Sequence, residues 1–291
     1  MPKTSLGFEE PKKKKAAEKI QKEKPSSNKE PEKKVFVEAP AMPKTKAVPF
    51  EKSVSDSRQS SLLKRTETGI TGLDELIEGG FPNDSIILIS GPCGSGKTLF
   101  SMNFLVEGAK RGEPGLYISL EENKQLDPNE LKLFGWNIED LVNQKLLLVT
   151  EPELYDFDRL INQIEERAKS INAKRIVIDS GSLIGSYFKD QFKIREAMST
   201  LEKVMERIGA IGLFINEVPE NSEQVSTYGV EEHVVGGVIV LYNKKNINMF
   251  HRAMVIRKMR STNHSMKIHP FKIKAPGGVF VYNKVEEFER F

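Results

Sequence analysis

From Leu62 onward, short apolar runs alternate with longer stretches whose apolar residues recur at helical spacing. Ser85–Ser90 (SIILIS), Gly115–Leu120 (GLYISL), Lys145–Thr150 (KLLLVT), Arg175–Asp179 (RIVID) and Ala210–Asn216 (AIGLFIN) are too short for helices and almost continuously apolar. That is the pattern of strands buried on both faces. The stretches between them predict helices over Lys97–Arg111, over Phe157–Ser170 with Leu160, Ile161 and Ile164 on one face, and over Phe192–Ile208. Leu73–Ile77 predicts a short amphipathic helix stopped by Gly79 and Gly80, and residues 121–142 mix loop and helix. Strands alternating with helices of this length imply right-handed crossovers and a mostly parallel sheet covered on both faces, an α/β fold. The end of the chain changes rhythm. VIVLYN, FHRAMVIRKM, KIHPFKI and GVFVYN are strand-like runs with short connections, the turns falling in Asn243–Asn248 and Ala275–Gly278. They predict an antiparallel extension on one edge of the sheet. No internal repeat is visible.

Composition divides the chain at about residue 61. Residues 1–60 hold 14 Lys and 1 Arg against 8 Glu and 1 Asp, a net +6, so the formal +3 of the whole leaves the remainder at −3. Apolar residues are sparse there, and such a segment buries too little surface to offset the entropy of ordering. We read 1–61 as a disordered tail and 62–291 as one catalytic domain. Lys12 to Lys15 offer weak, salt-sensitive contact with nucleic acid or an acidic surface, although a solvated tail is the simpler reading. A single cysteine, Cys93, excludes a disulfide within the chain and fits a reducing, cytoplasmic setting. The first residues lack the apolar stretch of a secretory signal, and no apolar run approaches the roughly 18 residues of a membrane helix, so no membrane association is expected.

The candidate chemistry begins after the first strand. Gly91-Pro92-Cys93-Gly94-Ser95-Gly96-Lys97-Thr98 matches G-x-x-x-x-G-K-[ST] in full, between a buried strand and a helix. Its glycines let the backbone curl until its N–H groups point at phosphate oxygens, and the helix N-terminus adds roughly half a positive charge. Gly91, Gly94, Ser95, Gly96, Lys97, Thr98 and Leu99 are therefore expected to hold ATP. Lys97 reaches the β- and γ-phosphates as a catalytic cation, and the Thr98 hydroxyl ligates Mg2+. Asp179, at the tip of an apolar strand, fits the aspartate that holds the metal through its water shell, with the capping of a following turn as the alternative. Glu121 and Glu122 end the strand GLYISL where open α/β sheets place their ligands. One of them suits a base for the attacking water; a solvated pair opening a helix is the alternative. Cys93 lies inside the loop, where a helix N-terminus lowers thiol pKa and a redox brake is conceivable; a small loop residue is the simpler reading.

These residues and several longer segments resemble a single KaiC domain of the RecA superfamily. The matching stretches are RTETGITGLDELIEGGFP, GPCGSGKT, LYISLEE, FGWNIEDL, IVIDS, EVPENSEQVSTYGVEEHVVGGVIVLY and IRKMRSTNHSMKIHPFKI, about three quarters of the chain. The loop motif is generic; K-M-R-S-T-x-H followed by HPF is far more specific. The resemblance implies a RecA-like fold, ATPase activity, and a catalytic role for the pair Glu121 and Glu122. It further implies that Lys258 and Arg260 reach into the nucleotide site of a neighbouring subunit, with Thr262 and His264 near the same nucleotide. On the residues alone, Lys258 and Arg260 read as exposed strand charges. A site completed in trans closes head-to-tail contacts into a ring, for which the resemblance suggests a homohexamer acting on a further protein partner.

There are departures. KaiC has two tandem domains and this chain has one. EEHVVGGVIVLY lacks the hydroxyl residues of an autophosphorylating domain, which argues against an autokinase. Gly236 replaces an aspartate of many relatives. A DNA-associated RecA or RadA relative, a nucleotide-gated scaffold and a protein kinase remain as alternatives. Against the first, Val218–Tyr242 contains Glu220, Glu223, Glu231 and Glu232 and no Lys or Arg, and affinity for DNA rests on basic contacts.

Overall fold

Five apolar runs become strands, and the residues between them cover the two faces. A computed structural model describes residues 64–121, 126–152, 156–220, 222–246 and 249–283. The tail 1–61 and Glu122 lie outside these residues.

A small antiparallel pair, β1 (Arg65–Thr66) with β2 (Phe81–Pro82), brackets a single 3-10 turn at Asp74–Ile77. That turn occupies the place of the helix expected over Leu73–Ile77, because Glu78 and the glycines after it turn left-handed and end it. Then follow β3 (Ile86–Gly91), α1 (Lys97–Lys110), β4 (Gly115–Ser119), α2 (Pro128–Leu133), α3 (Ile138–Asn143), β5 (Leu147–Thr150), α4 (Phe157–Ile171) and β6 (Arg175–Asp179). The chain continues with α5 (Ser182–Phe188), α6 (Gln191–Ile208), β7 (Ile211–Glu217), α7 (Glu231–Val234), β8 (Gly237–Asn246), β9 (Met249–Met259), β10 (His269–Lys274) and β11 (Gly278–Val281). Helices α4 and α6 start at carboxylates. Asp156 accepts from the Arg159 amide at 2.7 Å and Asp190 from the Lys193 amide at 2.9 Å, satisfying N–H groups that a helix leaves unpaired.

Among the described residues the main sheet runs β11-β10-β9-β8-β3-β7-β6-β4-β5. The pairs from β3 to β5 are parallel, and β9, β10 and β11 are antiparallel. One expectation needs correcting. VIVLYN is not the first antiparallel strand; as β8 it pairs parallel with β3 and antiparallel with β9, so the switch of direction comes one strand later. The hairpin is also longer than expected, because β8 runs through Asn243 to Asn246.

Period-2 alternation divides the core. Ile87, Ile89, Tyr117 and Val177 face α1, packing with Phe100 and Phe104. Ile86, Leu88, Leu116, Ile118 and Ile178 face α4 and α6, packing with Leu160, Ile164, Met198 and Leu201. Arg175 is among the charges buried within this frame. Arg175, with no exposed surface, donates to Phe104 O at 2.7 Å, to Glu67 O at 2.9 Å and to the Glu113 carboxylate at 2.6 and 2.8 Å. Its guanidinium also lies 4.4 Å from the centre of the Phe104 ring. Burial pulls its pKa down, and Glu113 opposes that pull. No helix among the described residues is long and apolar enough to cross a membrane.

Candidate functional site

The C-terminal ends of the parallel strands converge on the glycine-rich loop. β3 is buried along its length and delivers the chain to Gly91. A side chain at Gly91 would put its Cβ 2.4 Å from Leu241 O, so the loop's close approach to β8 requires glycine. Gly96 holds φ at 100° at the N-cap of α1, and a Cβ there would strike Ile273 at 2.6 Å. The amides of Lys97, Thr98 and Leu99 open α1, and the first intrahelical bond is donated by Phe100 to Gly96 O at 2.9 Å. The first-turn N–H groups are therefore available to an anion. Leu99 turns its side chain to the core beside α1, so its contribution to a ligand is its amide. Ser95 is fully buried, and its Oγ has no hydrogen-bond partner among the described residues. An orphaned hydroxyl in a curl of amides fits a phosphate cradle. Cys93 is exposed.

Lys97 is 8% exposed and folds back, its ammonium donating to Gly91 O at 2.8 Å and Pro92 O at 2.9 Å. The candidate metal side of the site is formed across the strands. The Thr98 hydroxyl donates to Asp179 Oδ2 at 2.9 Å, and the Tyr117 phenol donates to the same oxygen at 2.7 Å. Asp179 is 1% exposed. Residues 81 apart in sequence thus meet. No cluster of three His, Cys, Asp or Glu stands here or elsewhere among the described residues. One hydroxyl and one carboxylate suit Mg2+, which keeps several waters and takes further ligands from substrate phosphates. The donor set fits that ion.

Glu121 follows β4. Ser119 pairs with Asp179, and alternation along β4 puts Tyr117 and Ser119 on the side of α1, while Leu120 joins the opposite core. Glu121 is half-buried, close enough for its charge to act on the Tyr117 phenol. Burial, first, and then the charge and hydrogen bond of Asp179 push the Tyr117 phenol far above its ordinary pKa, with Glu121 and Glu151 adding to the effect.

Sequence reasoning missed Tyr117, and it missed Arg252 of β9. Arg252 donates to Gly94 O at 3.4 Å, and its Nε is buried with no hydrogen-bond partner among the described residues. Its one signal was a cation just before the apolar run Ala253–Ile256, which does not reveal that the strand returns beside the loop.

Lys258, Arg260, Thr262 and His264 are not brought to the loop. Ile87 pairs with Gly237 and Gly237 with Met259, so the end of β9 lies by the start of β3, while the loop follows Gly91. Four residues of strand separate these levels by about 13 Å. At this far end Lys258 donates to Glu232 O at 2.8 Å and His233 O at 3.3 Å, and the exposed Arg260 donates to His233 O at 3.4 Å. Burial, then Arg260, pulls the pKa of Lys258 down, against Glu202 and Glu232. Thr262 accepts from Arg65 at 3.0 Å, and His264 Nδ1 lies 3.1 Å from Ser265 O.

Comparisons with known proteins bear on this arrangement. A family model described as "ATPase: KaiC" matches residues 66–286. A UPF0273 protein of Thermotoga maritima is 33% identical over 238 residues, covering 76% of this chain and 97% of that protein. The circadian clock protein KaiC3 of Synechocystis is 33% identical over 230 residues, covering 75% of this chain and 46% of that protein. Among solved structures, a KaiC-like protein of Pyrococcus horikoshii superposes with a TM-score of 0.68 at 38% identity, covering 76% of this chain and 99% of that one.

Proposed function

Because the chain belongs to the KaiC family of ATPases, we propose that it binds ATP with Mg2+ and hydrolyses it at contacts between copies of itself, arranged head to tail in a homohexameric ring whose nucleotide state acts on a protein partner. The observation that carries this reading is the separation of its two charged sets. Lys97, Thr98, Glu121 and Asp179 gather at one end of the sheet, and Lys258 and Arg260 stand at the other. A heterologous contact that repeats around a ring brings one set against the other set of the next copy.

In this scheme the amides from Gly94 to Leu99 cradle the phosphates, and Lys97 exchanges its carbonyl partners for β- and γ-phosphate oxygens. Thr98 and Asp179 hold Mg2+, which screens phosphate charge when bound. The Glu121 carboxylate orients the attacking water and takes its proton. Arg252 adds a cation from the same chain beside Gly94. Arg260 and Lys258 of the next copy offset charge spreading over the equatorial oxygens as the γ-phosphoryl leaves. Thr262 and His264 contact the same nucleotide. Loop residues Glu220 and Glu223 are exposed, which supports ATP-driven regulation over a grip on DNA.

The test pairs phosphate release with sedimentation. With ATP and Mg2+ the wild-type protein sediments as a ring. Glu121→Gln binds ATP with little change and releases phosphate about 10²-fold or more slowly. A wild-type protein that stays monomeric while turning over at full rate ends the interface reading.

A further inference from the structure

Tyr117 carries a hydroxyl that the packing of β4 does not need. Its ring is 1% exposed and packs among the apolar residues beside α1, where a phenylalanine would fill the same volume. The phenol is the one atom that differs, and a buried phenol seeks a partner. The partner it takes is Asp179 Oδ2, at 2.7 Å, from a strand 62 residues away. That oxygen also accepts the Thr98 hydroxyl at 2.9 Å.

We propose that Tyr117 is a positioning residue for the metal site: its phenol pins the Asp179 carboxylate in the orientation that lets Asp179 and Thr98 serve one small, octahedral cation. The inference rests on the ATP–Mg2+ reading above. The torsion that swings a carboxylate about its last bond has broad wells and resists rotation weakly. A hydroxyl has one proton and two lone pairs, so Thr98 can keep donating to Asp179 while a lone pair meets a metal. The Tyr117 phenol, fixed in the core beneath, supplies the second restraint on the same oxygen. A hydrogen bond to a charged acceptor is among the stronger kinds, and two converging on one oxygen fix the carboxylate plane.

Positioning leaves a signature that bulk stability does not. Mg2+ demands near-ideal octahedral geometry, whereas Ca2+ accepts irregular and larger coordination shells. A loosened Asp179 should therefore penalise Mg2+ more than Ca2+. An effect of charge alone would move both ions together, since they carry the same charge.

The experiment measures ADP affinity by calorimetry on the full chain, in EDTA and across titrations of MgCl2 and of CaCl2, for wild type and Tyr117→Phe. The expected result is unchanged ADP affinity in EDTA, half-saturating Mg2+ raised about tenfold, and half-saturating Ca2+ raised less than about threefold. In an Asp179→Ala background, Tyr117→Phe should add nothing further to the Mg2+ requirement. Parallel shifts for both ions, no shift for either, or a full additional effect without Asp179 each overturn the proposal. If Tyr117→Phe gives no folded protein, Tyr117→Met removes the same donor and is read identically. A wild-type protein that binds no ADP or ATP with Mg2+ instead overturns the function proposed above, an outcome distinct from all of these.

Discussion

The two ends of the parallel sheet treat their charges in opposite ways. At the loop end, Lys97, Thr98 and Asp179 are tied to one another or to the loop by bonds of 2.8 to 2.9 Å, and the carboxylate is buried. At the far end stand two arginines with different fates. Arg175, at the start of β6, has no exposed surface and bonds two carbonyls and a carboxylate within 2.9 Å. Arg260, just past β9, is exposed and holds one carbonyl at 3.4 Å. A cation with every nitrogen engaged in its own chain is part of the scaffold. A cation that spends one long bond on its own chain keeps its remaining donors for something else, and guanidinium geometry suits phosphate oxygens. The contrast makes Arg260 the residue on which the trans-acting scheme turns.

The largest expected effect breaks the comparison on Arg260 itself. Arg260→Ala should leave ATP binding and the fold intact and lower phosphate release about 10³-fold, the lower end of the range for an arginine supplied in trans. Mixing it with Lys97→Ala sharpens the point. Each variant is inactive alone, but the Arg260→Ala copy keeps its phosphate loop and the Lys97→Ala copy keeps its arginine. Random assembly in equal amounts makes about a quarter of the contacts complete, and roughly that fraction of wild-type turnover should return. No recovery on mixing, in a protein that does form rings, would place Arg260 in its own chain's service.

Arg175 should fail in the opposite manner. Arg175→Met keeps the apolar stem and removes the guanidinium, orphaning Glu67 O, taking the second donor from Phe104 O and ending the contact with the Phe104 ring. Glu113, whose side chain is 38% exposed, relaxes into water, so the cost comes mainly from the carbonyls and the lost packing. We expect about 2–4 kcal/mol of stability to be lost, seen as a lower denaturation midpoint, with turnover per folded molecule unchanged. A variant that melts normally but turns over slowly would erase the distinction drawn between the two arginines.

What the sequence disclosed follows from the same geometry. The phosphate loop is contiguous, so eight consecutive residues carried it, and Asp179 was legible because a buried strand must end where its apolar run ends. The parallel direction of β8 was not legible, since pairing with β3 is decided some 150 residues away from the strand that receives it. Tyr117 and Arg252 escaped for that reason too, their contacts spanning 62 and 158 positions. Helix α5 was hidden by Gly185, a poor helix residue kept because a Cβ there would meet the Tyr228 ring at 1.9 Å.

The smallest effect concerns a carboxylate in the field of Lys258 and Arg260. Glu202 on α6 is half-buried, and burial lifts its pKa above the ordinary carboxylate range, with Arg260 and then Lys258 pulling it back. A carboxyl whose pKa is higher in the folded than in the unfolded chain favours folding below its unfolded value. That contribution is lost as the pH rises through the folded value, leaving an ionised group in a poorly solvated place. Glu202→Gln should therefore raise the melting temperature at pH 7 by a degree or so, and the gain should vanish near pH 4, where both chains are neutral at this position. Thermal melts of the two proteins across that range decide the matter. If the substitution instead lowers the melting temperature at pH 7, the attraction to Lys258 and Arg260 outweighs the burial of Glu202. Arg260 would then be anchored in its own chain much as Arg175 is, and the two ends of the sheet would differ in exposure but not in purpose.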